Sequence, residues 1–314
     1  MHQCKLARVY ADGSWILPLV PSPSGAIHNS VQGLPAARVS RCQMSRWALF
    51  KGALPVRLLR KTCLVEASSG CLPVHTLTFG NPPGLNSLGV RIDHGDRVNV
   101  CVPEDYKPDL KHLYSHSFFP QAQPYSMSAE RPGEFDITFK VYPSGRCSGY
   151  LDSVQVGEAV EVFKTGTNQR RPGKYVGIIA FGVGITEAFP VAKAELEKPD
   201  AKHVKLLWAS KTMGDTFWHE EFSAACQRYP GCFSIANIFS REEHEGSLHG
   251  RINDQTLSDV FDASWRTAHG QENEADRGHV RFLVIGTEKM IRDTNMMLKD
   301  LGYSWLSHSL LRAF

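Results

Sequence analysis

The sequence lacks the features that mark several large classes of protein. It contains no apolar run of about 18 residues, so we expect no membrane-spanning helix. Its net charge of +3 is too small to indicate binding to nucleic acid or to a charged membrane surface. The eight cysteines are scattered and none forms a Cys-x-x-Cys pair, which leaves a zinc ribbon or an iron–sulfur cluster without ligands. An intracellular protein with reduced thiols is the simplest interpretation.

The amino-terminal segment, residues 1–52, is poor in acid. It carries six Lys or Arg residues and a single acidic residue, Asp12. This bias is typical of a mitochondrial or plastid transit peptide, and equally of a disordered extension without a targeting role. Without a transit peptide we expect a cytoplasmic protein. The remaining chain is long enough for two domains of ordinary size.

Residues 53–170 predict an antiparallel β domain. Apolar and polar residues alternate in short runs that are separated by turn residues, which is the pattern of half-buried strands. The clear runs cover residues 74–79, 97–102, 135–142 and 158–163. Several short strands with turns between them are typical of an antiparallel barrel or sandwich.

Residues 171–314 predict a doubly wound parallel sheet, because short apolar strands alternate with helical segments. The predicted strands are residues 176–181, 204–209, 233–239 and 280–285. The predicted helices are residues 186–198, 215–228, 254–263 and 288–301.

Two glycine-containing turns stand where chemistry is expected. Gly145–Ser148 lies between a strand that runs to Tyr142 and a short helix that starts at Gly149. A glycine before a helix start lets a phosphate approach the free backbone N–H groups, although an ordinary turn with a serine cap has the same sequence. Gly182–Thr186 follows a buried strand and opens a helix, the context of a dinucleotide loop or of a plain turn.

The order of four short signatures resembles the ferredoxin reductase superfamily, and within it the NADH-cytochrome b5 reductases and the flavin/NADH module of nitrate reductases. The signatures are Gln123–Ser126, Gly145–Ser148, Gly182–Thr186 and Gly286–Met290. The resemblance covers roughly residues 55–314. It implies a six-stranded antiparallel FAD-binding barrel over residues 53–170 and an NAD(P)H-binding parallel sheet over residues 171–314.

The resemblance also implies roles for single residues. Tyr125 would lie against the isoalloxazine and Ser126 near its reactive nitrogen, the two positions closest to catalysis. The other implied flavin positions are Gln123, Pro124, Lys140, Tyr142, Gly145, Arg146, Cys147 and Ser148. The implied positions for the nicotinamide nucleotide are Gly182, Gly184, Thr186, Gly286 and Met290. The terminal aromatic Phe314 matches a residue that packs near the flavin, or is a tail residue without a role.

The chain departs from the family pattern at four positions. Gln123 stands in place of an arginine and cannot make a charge-assisted contact to phosphate, so we expect FAD either to bind more weakly or to bind through Arg146. Phe181 replaces the first glycine of the nucleotide loop, and Glu187 replaces a proline, which places a negative charge near an anionic pyrophosphate. Ile285 replaces a cysteine whose loss should slow hydride transfer rather than abolish it.

The resemblance implies a monomeric flavoprotein reductase with FAD and NADH as cofactors, NADPH being the alternative. Glu242 and Glu243 beside Arg241 favour NADH, because a 2′-phosphate requires a basic cluster. The sequence carries neither a haem nor a ferredoxin motif, so electrons would pass to a separate acceptor protein such as cytochrome b5. The alternatives are another acceptor, such as a quinone, and a degenerate relative that binds a flavin or a partner without catalysis.

Overall fold

The computed structural model describes most of the chain from Gly52 onward. The described residues are 52–68, 70–103, 105–106, 122–166, 173–262, 265 and 280–303, with the backbone of 308–312. The predictions for residues 1–51 and for Phe314 lie outside these residues. Within them, no helix is long and apolar enough to cross a membrane.

The first half of the described chain forms a seven-stranded antiparallel sheet. Its strands are β1 (Leu54–Val65), β2 (Val74–Gly80), β3 (Arg97–Cys101), β4 (Ala122–Tyr125), β5 (Met127–Arg131), β6 (Glu134–Lys140) and β7 (Ala159–Thr165). They lie in the order β4-β3-β7-β1-β2-β6-β5. The helix α1 (Arg146–Ser153) contributes its buried Cys147 and Leu151 to the core between these strands.

The two edges of this sheet, β4 and β5, are consecutive in sequence and separated only by Ser126. Tyr125 pairs with Val98 on one edge, and Met127 pairs with Ile137 on the other. Counted as one strand that bends at Ser126, β4 and β5 close the sheet into a barrel of six strands. The predicted six-stranded antiparallel barrel is therefore confirmed.

The second half forms a six-stranded parallel sheet. Its strands are β8 (Tyr175–Phe181), β9 (His203–Ser210), β10 (Phe233–Phe239), β11 (Leu248–His249), β12 (Val280–Gly286) and β13 (His308–Arg312), in the order β11-β10-β9-β8-β12-β13. Every residue of β12 is buried, as expected of a strand covered on both faces.

Helices cover both faces of the parallel sheet. They are α2 (Ile185–Leu196), α3 (His219–Arg228), α4 (Asp254–Val260) and α5 (Glu288–Asp300). Apolar residues of α2 and α3 pack with Ile178 on one face, and those of α4 and α5 pack with Ile179 on the other. This doubly wound arrangement confirms the predicted fold class.

Three predicted helix limits differ from the structure by three or four residues, and α2 ends at Leu196 rather than at 198. Helix α1 begins at Arg146 rather than at Gly149, so the glycine signature itself forms the first turn. Helix α3 begins at His219 rather than at 215, because Trp218 has a φ of 65° and this left-handed backbone cannot continue a helix. Helix α4 ends at Val260 rather than at 263.

The barrel and the parallel sheet pack directly against each other. Both belong to one compact unit, and Val65 and Val74 of the barrel are buried in the same apolar cluster as Phe189 of α2. This shared cluster fixes the carboxyl end of β8 and the start of α2 beside the barrel.

Candidate functional site

The parallel sheet changes its winding direction between β8 and β12. From β8 the chain runs through α2 to β9 and through α3 to β10, all on one side of β8, whereas β12 lies on the other side. Ligands of open parallel sheets bind at such a point, in the crevice outside the carboxyl ends of the strands. Here the crevice is bordered by Gly182 after β8 and by Thr287 after β12.

A tight turn, Gly182–Gly184, leads from β8 directly into α2. Gly182 has a φ of 52°, and a Cβ atom placed on it would meet no atom within 4 Å. Its carbonyl oxygen accepts a hydrogen bond of 2.8 Å from Trp208 Nε1. Thr186 Oγ1 donates to the carbonyl oxygen of Val183 at 2.9 Å. No capping side chain occupies the start of α2 among the described residues. The N–H of Ile185 bonds to the carbonyl oxygens of Gly182 and Val183, so only the N–H groups after it are left without a side-chain cap.

Two of the departures from the family pattern fill the space between β8 and β12. A Cβ atom on Gly286 would lie 2.8 Å from Phe181 Cδ2, because the phenylalanine ring packs against this glycine. A Cβ atom on Gly184 would lie 2.9 Å from the carbonyl oxygen of Ile285, whose side chain is fully buried. Met290, in the first turn of α5, is 42% exposed. The structure therefore brings the predicted nucleotide residues together, around a loop that is packed more tightly than a glycine-rich pattern implies.

A second turn, between β6 and α1, carries the predicted phosphate loop of the barrel. Tyr142 N–H donates to Ser148 Oγ at 3.1 Å, and Ser148 Oγ donates in turn to the carbonyl oxygen of Gly145 at 3.2 Å. A Cβ atom on Gly145 would collide with Ser148 Oγ and lie 3.1 Å from Tyr142 Cβ. Ser148 thus closes the turn, and Gly145 is the residue that allows it. The Tyr142 side chain is 45% exposed.

Two polar atoms beside this turn are buried without a hydrogen-bond partner among the described residues: Tyr125 Oη and Arg146 Nε. The Tyr125 ring lies edge-on to Phe139, with ring centroids 6.0 Å apart. Burial and the neighbouring Cys147 thiol raise the pKa of Tyr125, although that thiol makes no well-aligned hydrogen bond to the hydroxyl. The other end of the guanidinium is held, because Arg146 Nη2 donates to the carbonyl oxygen of Pro103 at 3.1 Å.

Cys147 packs inside the barrel beneath the turn. Burial raises its pKa to about 11, while Tyr125, Arg146 and the backbone of Gln123 act in the opposite direction. A thiol with so high a pKa stays protonated near neutral pH and is a packing group rather than a nucleophile. Gln123 and Pro124 lie on β4, where they pair with Val100 and Asn99 of β3.

Ion pairs that sequence reasoning missed connect the barrel to the parallel sheet. Lys140 Nζ lies 2.9 Å from Asp215 Oδ1, in the loop after β9. Lys198 Nζ, just after α2, lies 2.8 Å from Asp93 Oδ2, in the turn before β3. The Lys140 side chain, predicted at the flavin, is therefore engaged with the parallel sheet. No local pattern could have found these pairs, because they depend on how the two sheets are packed.

The third ion pair involves Glu187, which replaces a proline of the family pattern. The pair changes the role that we expected for this residue. Arg97 Nη2 lies 3.0 and 3.1 Å from the two carboxylate oxygens of Glu187. Burial raises the pKa of Glu187, and Arg97 and Ser126 oppose that shift. The negative charge that we expected to face a pyrophosphate is thus held by a buried arginine instead.

The acidic residues after β10 also have a defined position. Glu242 accepts a hydrogen bond from the N–H of Met213, and the backbone N–H of Arg241 donates to the carbonyl oxygen of Lys211 at 3.0 Å. These bonds tie the loop after β9 to the loop after β10 at the carboxyl ends of both strands. The carboxylate of Glu242 therefore lies at the edge of the sheet where the nucleotide loop also lies.

A cavity of about 420 Å³ lies elsewhere, along the outer edge of β10. Lys205, Asn237, Ser247 and Asp259 are among its lining residues. None of the residues predicted from the sequence as cofactor positions lines it.

Comparisons with known proteins agree with this geometry. The family model described as the oxidoreductase NAD-binding domain matches residues 178–296. A protein named NADH-cytochrome b5 reductase 1 from Arabidopsis thaliana is 34% identical over 113 residues, which are 35% of this chain and 40% of the relative. The chain thus spans less than half of the length of this curated relative.

Solved structures match over most of the chain. The cytochrome b5 reductase domain of Ulva prolifera nitrate reductase superposes with a TM-score of 0.63 and 19% identity, covering 84% of this chain and 98% of that one. A ferredoxin NADP+ reductase from Neisseria gonorrhoeae, solved with bound FAD and NADP, superposes with a TM-score of 0.59 and 16% identity, covering 84% and 99%. Residues 178–296 therefore match the oxidoreductase NAD-binding domain, the chain is similar in sequence to proteins named NADH-cytochrome b5 reductase, and its fold is the two-domain fold of these solved structures.

Proposed function

We propose that this protein is a flavoprotein oxidoreductase that carries electrons from NADH through FAD to a separate one-electron acceptor such as cytochrome b5. In this proposal residues 53–170 bind FAD and residues 171–314 bind the nicotinamide nucleotide. The observation that carries it is the contact between the two candidate sites. Arg97, which precedes the Val98–Tyr125 pair of the barrel, binds Glu187 at 3.0 Å in the first turn of the helix that follows the nucleotide loop.

The barrel residues fit a flavin with its pyrophosphate. Gly145 lets the Ser148 hydroxyl close the β6–α1 turn at the start of α1, where the N–H groups of a helix start would meet a phosphate. Tyr125 Oη and Arg146 Nε, which are buried and have no hydrogen-bond partner among the described residues, are polar atoms that a bound ribityl or phosphate group would satisfy. Arg146 would then supply the charge-assisted contact that Gln123 cannot make.

The residues at the crevice fit a bound dinucleotide less well than the barrel residues fit FAD. None of the described residues lies within 4 Å of a Cβ placed on Gly182, and the start of α2 offers the N–H groups after Ile185 and the positive end of the helix dipole. Glu242 at the carboxyl ends of β9 and β10 adds a negative charge that disfavours a 2′-phosphate. These features support NADH rather than NADPH.

The chemistry itself would come from the bound cofactors: NADH would donate a hydride to FAD, and the reduced flavin would release electrons one at a time. The protein contributes position, because hydride transfer depends on the proximity and alignment of two rings. The ion pairs Lys140–Asp215 and Arg97–Glu187 hold the two binding regions against each other. Tyr125 and Ser126 are the proposed contacts to the flavin ring system.

A second candidate function is a flavin-binding protein that does not use a nicotinamide nucleotide. The observation in its favour is the packing of Phe181 against Gly286 and of Ile285 against Gly184, which fills the space between β8 and β12. In that case the barrel residues would keep their role and the crevice would be structural.

Anaerobic reduction distinguishes the two functions. The full chain is reconstituted with FAD and mixed without oxygen with NADH, and separately with NADPH, while the visible flavin band is recorded. The reductase proposal expects rapid bleaching with NADH and slower bleaching with NADPH. Bound flavin that stays oxidised with both nucleotides would support the second function, and a chain that binds no flavin would contradict both.

The acceptor, the oligomeric state and the cellular location are further parts of the proposal. The name of the relatives supports cytochrome b5 as the acceptor, and its reduction by the NADH-reduced protein is the direct test. We propose a monomer, which sedimentation of the reconstituted protein checks. The basic and acid-poor composition of residues 1–52 supports organelle targeting, and the location of a fluorescent fusion tests it against a cytoplasmic protein.

A further inference from the structure

A buried tryptophan of the neighbouring strand holds the turn of the nucleotide loop. Trp208 lies on β9, where it pairs with Ala180 of β8, and it is 1% exposed. Its indole packs against the rings of Phe217 and Phe222, with centroids 5.5 and 5.7 Å away. The indole Nε1 donates the hydrogen bond of 2.8 Å to the carbonyl oxygen of Gly182. Because a closely packed indole has little freedom to rotate, the direction of this N–H is fixed.

A second donor reaches the same carbonyl oxygen, but its hydrogen bond is divided. The N–H of Ile185 donates both to Gly182 and to the carbonyl oxygen of Val183, whereas Trp208 Nε1 donates to Gly182 alone among the described residues. Gly182 has a φ of 52°, and a glycine adopts more than one backbone conformation at little cost. The bond from Trp208 therefore selects the orientation of this peptide group.

The direction of the Gly182 carbonyl determines the direction of the next N–H group. The peptide bond between Gly182 and Val183 is trans, so the N–H of Val183 points opposite to the carbonyl that Trp208 holds. Trp208 belongs to the apolar layer between the sheet and α2, and this N–H points away from that layer. Thr186 Oγ1 holds the carbonyl oxygen of Val183, which determines the direction of the Gly184 N–H in the same way. Successive N–H groups of a turn form a concave site for an anion.

We propose that Trp208 is a positioning residue that holds the loop Gly182–Gly184 in the orientation that binds the pyrophosphate of a nicotinamide nucleotide. The inference rests on the proposed binding of NADH by residues 171–314. A phenylalanine at position 208 would fill the same apolar layer, but it would leave the Gly182 carbonyl with the divided bond from Ile185. The peptide group could then turn, and the N–H groups of the loop would no longer converge on the phosphates.

The main test is the binding of ADP-ribose to the full chain reconstituted with FAD, measured by titration calorimetry. ADP-ribose carries the pyrophosphate but cannot donate a hydride, so its binding is measured without turnover. Trp208→Phe should raise the Kd for ADP-ribose about tenfold, because the loop loses the hydrogen bond that orients it. The Kd for FAD should stay unchanged, since the proposed flavin residues lie on the barrel.

Trp265→Phe is the matched control in the same sheet. Trp265 is 2% exposed and packs against Tyr175, with ring centroids 5.4 Å apart. Tyr175 is the first residue of β8, so this tryptophan lies at the end of the strand that is remote from the loop. The same substitution there removes a buried indole without touching Gly182, and the Kd for ADP-ribose should equal that of the wild type.

A second variant separates the hydrogen bond from the shape of the side chain. Replacement of Trp208 by the unnatural amino acid benzothienylalanine keeps the two fused rings but puts a sulfur atom in place of the indole N–H. It should reproduce the rise in Kd, because only the donor is lost. It also serves as the test if Trp208→Phe does not fold.

Stopped-flow reduction of the bound flavin gives an independent readout. In Trp208→Phe the NADH concentration that gives half of the maximal rate should rise together with the Kd for ADP-ribose. The limiting rate at saturating NADH should stay unchanged, because the loop binds the pyrophosphate equally before and during hydride transfer. A fall in the limiting rate with an unchanged Kd would contradict the inference.

The outcomes separate this inference from the proposed function. Wild-type protein that binds ADP-ribose with the same Kd as Trp208→Phe and the benzothienylalanine variant overturns the inference and leaves the proposed function intact. An equal rise in Kd in Trp265→Phe also overturns it, because a general loss of packing then explains the effect. Wild-type protein that binds FAD but no ADP-ribose overturns the inference together with the proposed use of NADH.

Discussion

Where the sequence departs from the family pattern, the barrel and the parallel sheet respond in different ways. In the barrel, Gln123 replaces an arginine, and two buried polar atoms nearby have no partner among the described residues, Tyr125 Oη and Arg146 Nε. In the parallel sheet, Phe181 packs against Gly286. Glu187, the acid at the start of α2, is bound by Arg97. At the positions that depart from the family pattern, the barrel lacks contacts and the parallel sheet has replaced them, although Ser210 Oγ at the end of β9 is also buried without a partner among the described residues.

This difference between the two regions affects the free energy with which each would bind its cofactor. A buried polar group without a hydrogen bond costs about 1–3 kcal/mol, so each unpartnered atom in the barrel favours a ligand that supplies the missing bond. A filled space gives no such advantage, because a ligand must first displace side chains that are already packed. We therefore expect tight binding of FAD and weaker binding of the nicotinamide nucleotide, with the crevice limiting the rate of reduction.

The largest effect is expected from Gly145→Ala. The added methyl group collides with Ser148 Oγ and lies 3.1 Å from Tyr142 Cβ, so the hydroxyl must leave both of its hydrogen bonds and the turn must open. With strain of about 3 kcal/mol at the phosphate contact, the Kd for FAD should rise roughly 100-fold. Quenching of flavin fluorescence measures the Kd.

Gly80→Ala is the matched control in the same barrel. Its Cβ atom would lie 3.4 Å from the nearest atom, Leu59 Cδ1, which is an ordinary contact. Its Kd for FAD should equal that of the wild type. Equal affinity in Gly145→Ala as well would show that the turn does not carry the phosphate.

Arg146→Ala should weaken FAD binding about tenfold, because the variant loses one charge-assisted hydrogen bond to the flavin phosphate. The loss should shrink at high salt, since screening already weakens the contact in the wild type. Arg228→Ala is the control, because this arginine is 71% exposed and its pairing with Glu197 is long at 3.9 Å. An unchanged affinity for FAD in Arg146→Ala would contradict the hypothesis that Arg146 replaces the missing arginine.

Much of the fold was predictable because its elements have strong local patterns. Alternation predicted β2, β3, β6 and β7, and apolar runs predicted β8, β9, β10 and β12. Strand β1 was missed because its alternation stops after Leu58. A register shift between Leu58 and Arg60 breaks the period, and the following residues, among them Lys61, are exposed.

Only the backbone turns of the candidate site were predictable from the sequence. Gly145, Gly182 and Gly184 stand at turns that connect one element to the next, and such turns leave a sequence signature. The partners of Lys140 and Glu187 could not be predicted, because Asp215 and Arg97 belong to the other sheet. Their contacts depend on the packing of the two regions, which no local pattern encodes.

The packing of Phe181 against Gly286 gives a prediction about stability. Gly286→Ala should lower the free energy of unfolding by about 1–3 kcal/mol, because the new methyl group would lie 2.8 Å from Phe181 Cδ2 in a closely packed space. Phe181→Ala removes the ring, so in that background Gly286→Ala should be nearly neutral. Urea unfolding of the four proteins gives the coupling, expected at about 1 kcal/mol or more.

Additive effects in this cycle would mean that the ring moves aside freely. The contrast between the barrel and the parallel sheet would then be weaker, because a nucleotide could displace the Phe181 ring at little cost in free energy. With coupling present, Phe181→Ala should also strengthen NADH binding to the FAD-loaded protein.

The smallest effect concerns the ion pair between Asp93 and Lys198, which joins the two regions. Burial alone would raise the pKa of Asp93, but the hydrogen bond and charge of Lys198, with the charge of His94, outweigh it and hold the pKa below its ordinary value of 3.8. A carboxyl whose pKa is lowered in the folded state stabilises the fold above the unfolded pKa and loses that contribution as the pH falls through the folded pKa.

Asp93→Asn should therefore destabilise the protein by about 0.5–1 kcal/mol at neutral pH, the range of a partly exposed pair. The difference from the wild type should fade below about pH 3.8, where the wild-type carboxyl also takes up its proton. Thermal unfolding at a series of pH values measures it, with Asp293→Asn as the control, since this acid pairs with Lys289 within one exposed helix. If the Asp93→Asn deficit persisted unchanged at acidic pH, the loss would come from packing, and the charge between the two regions would contribute nothing to their association.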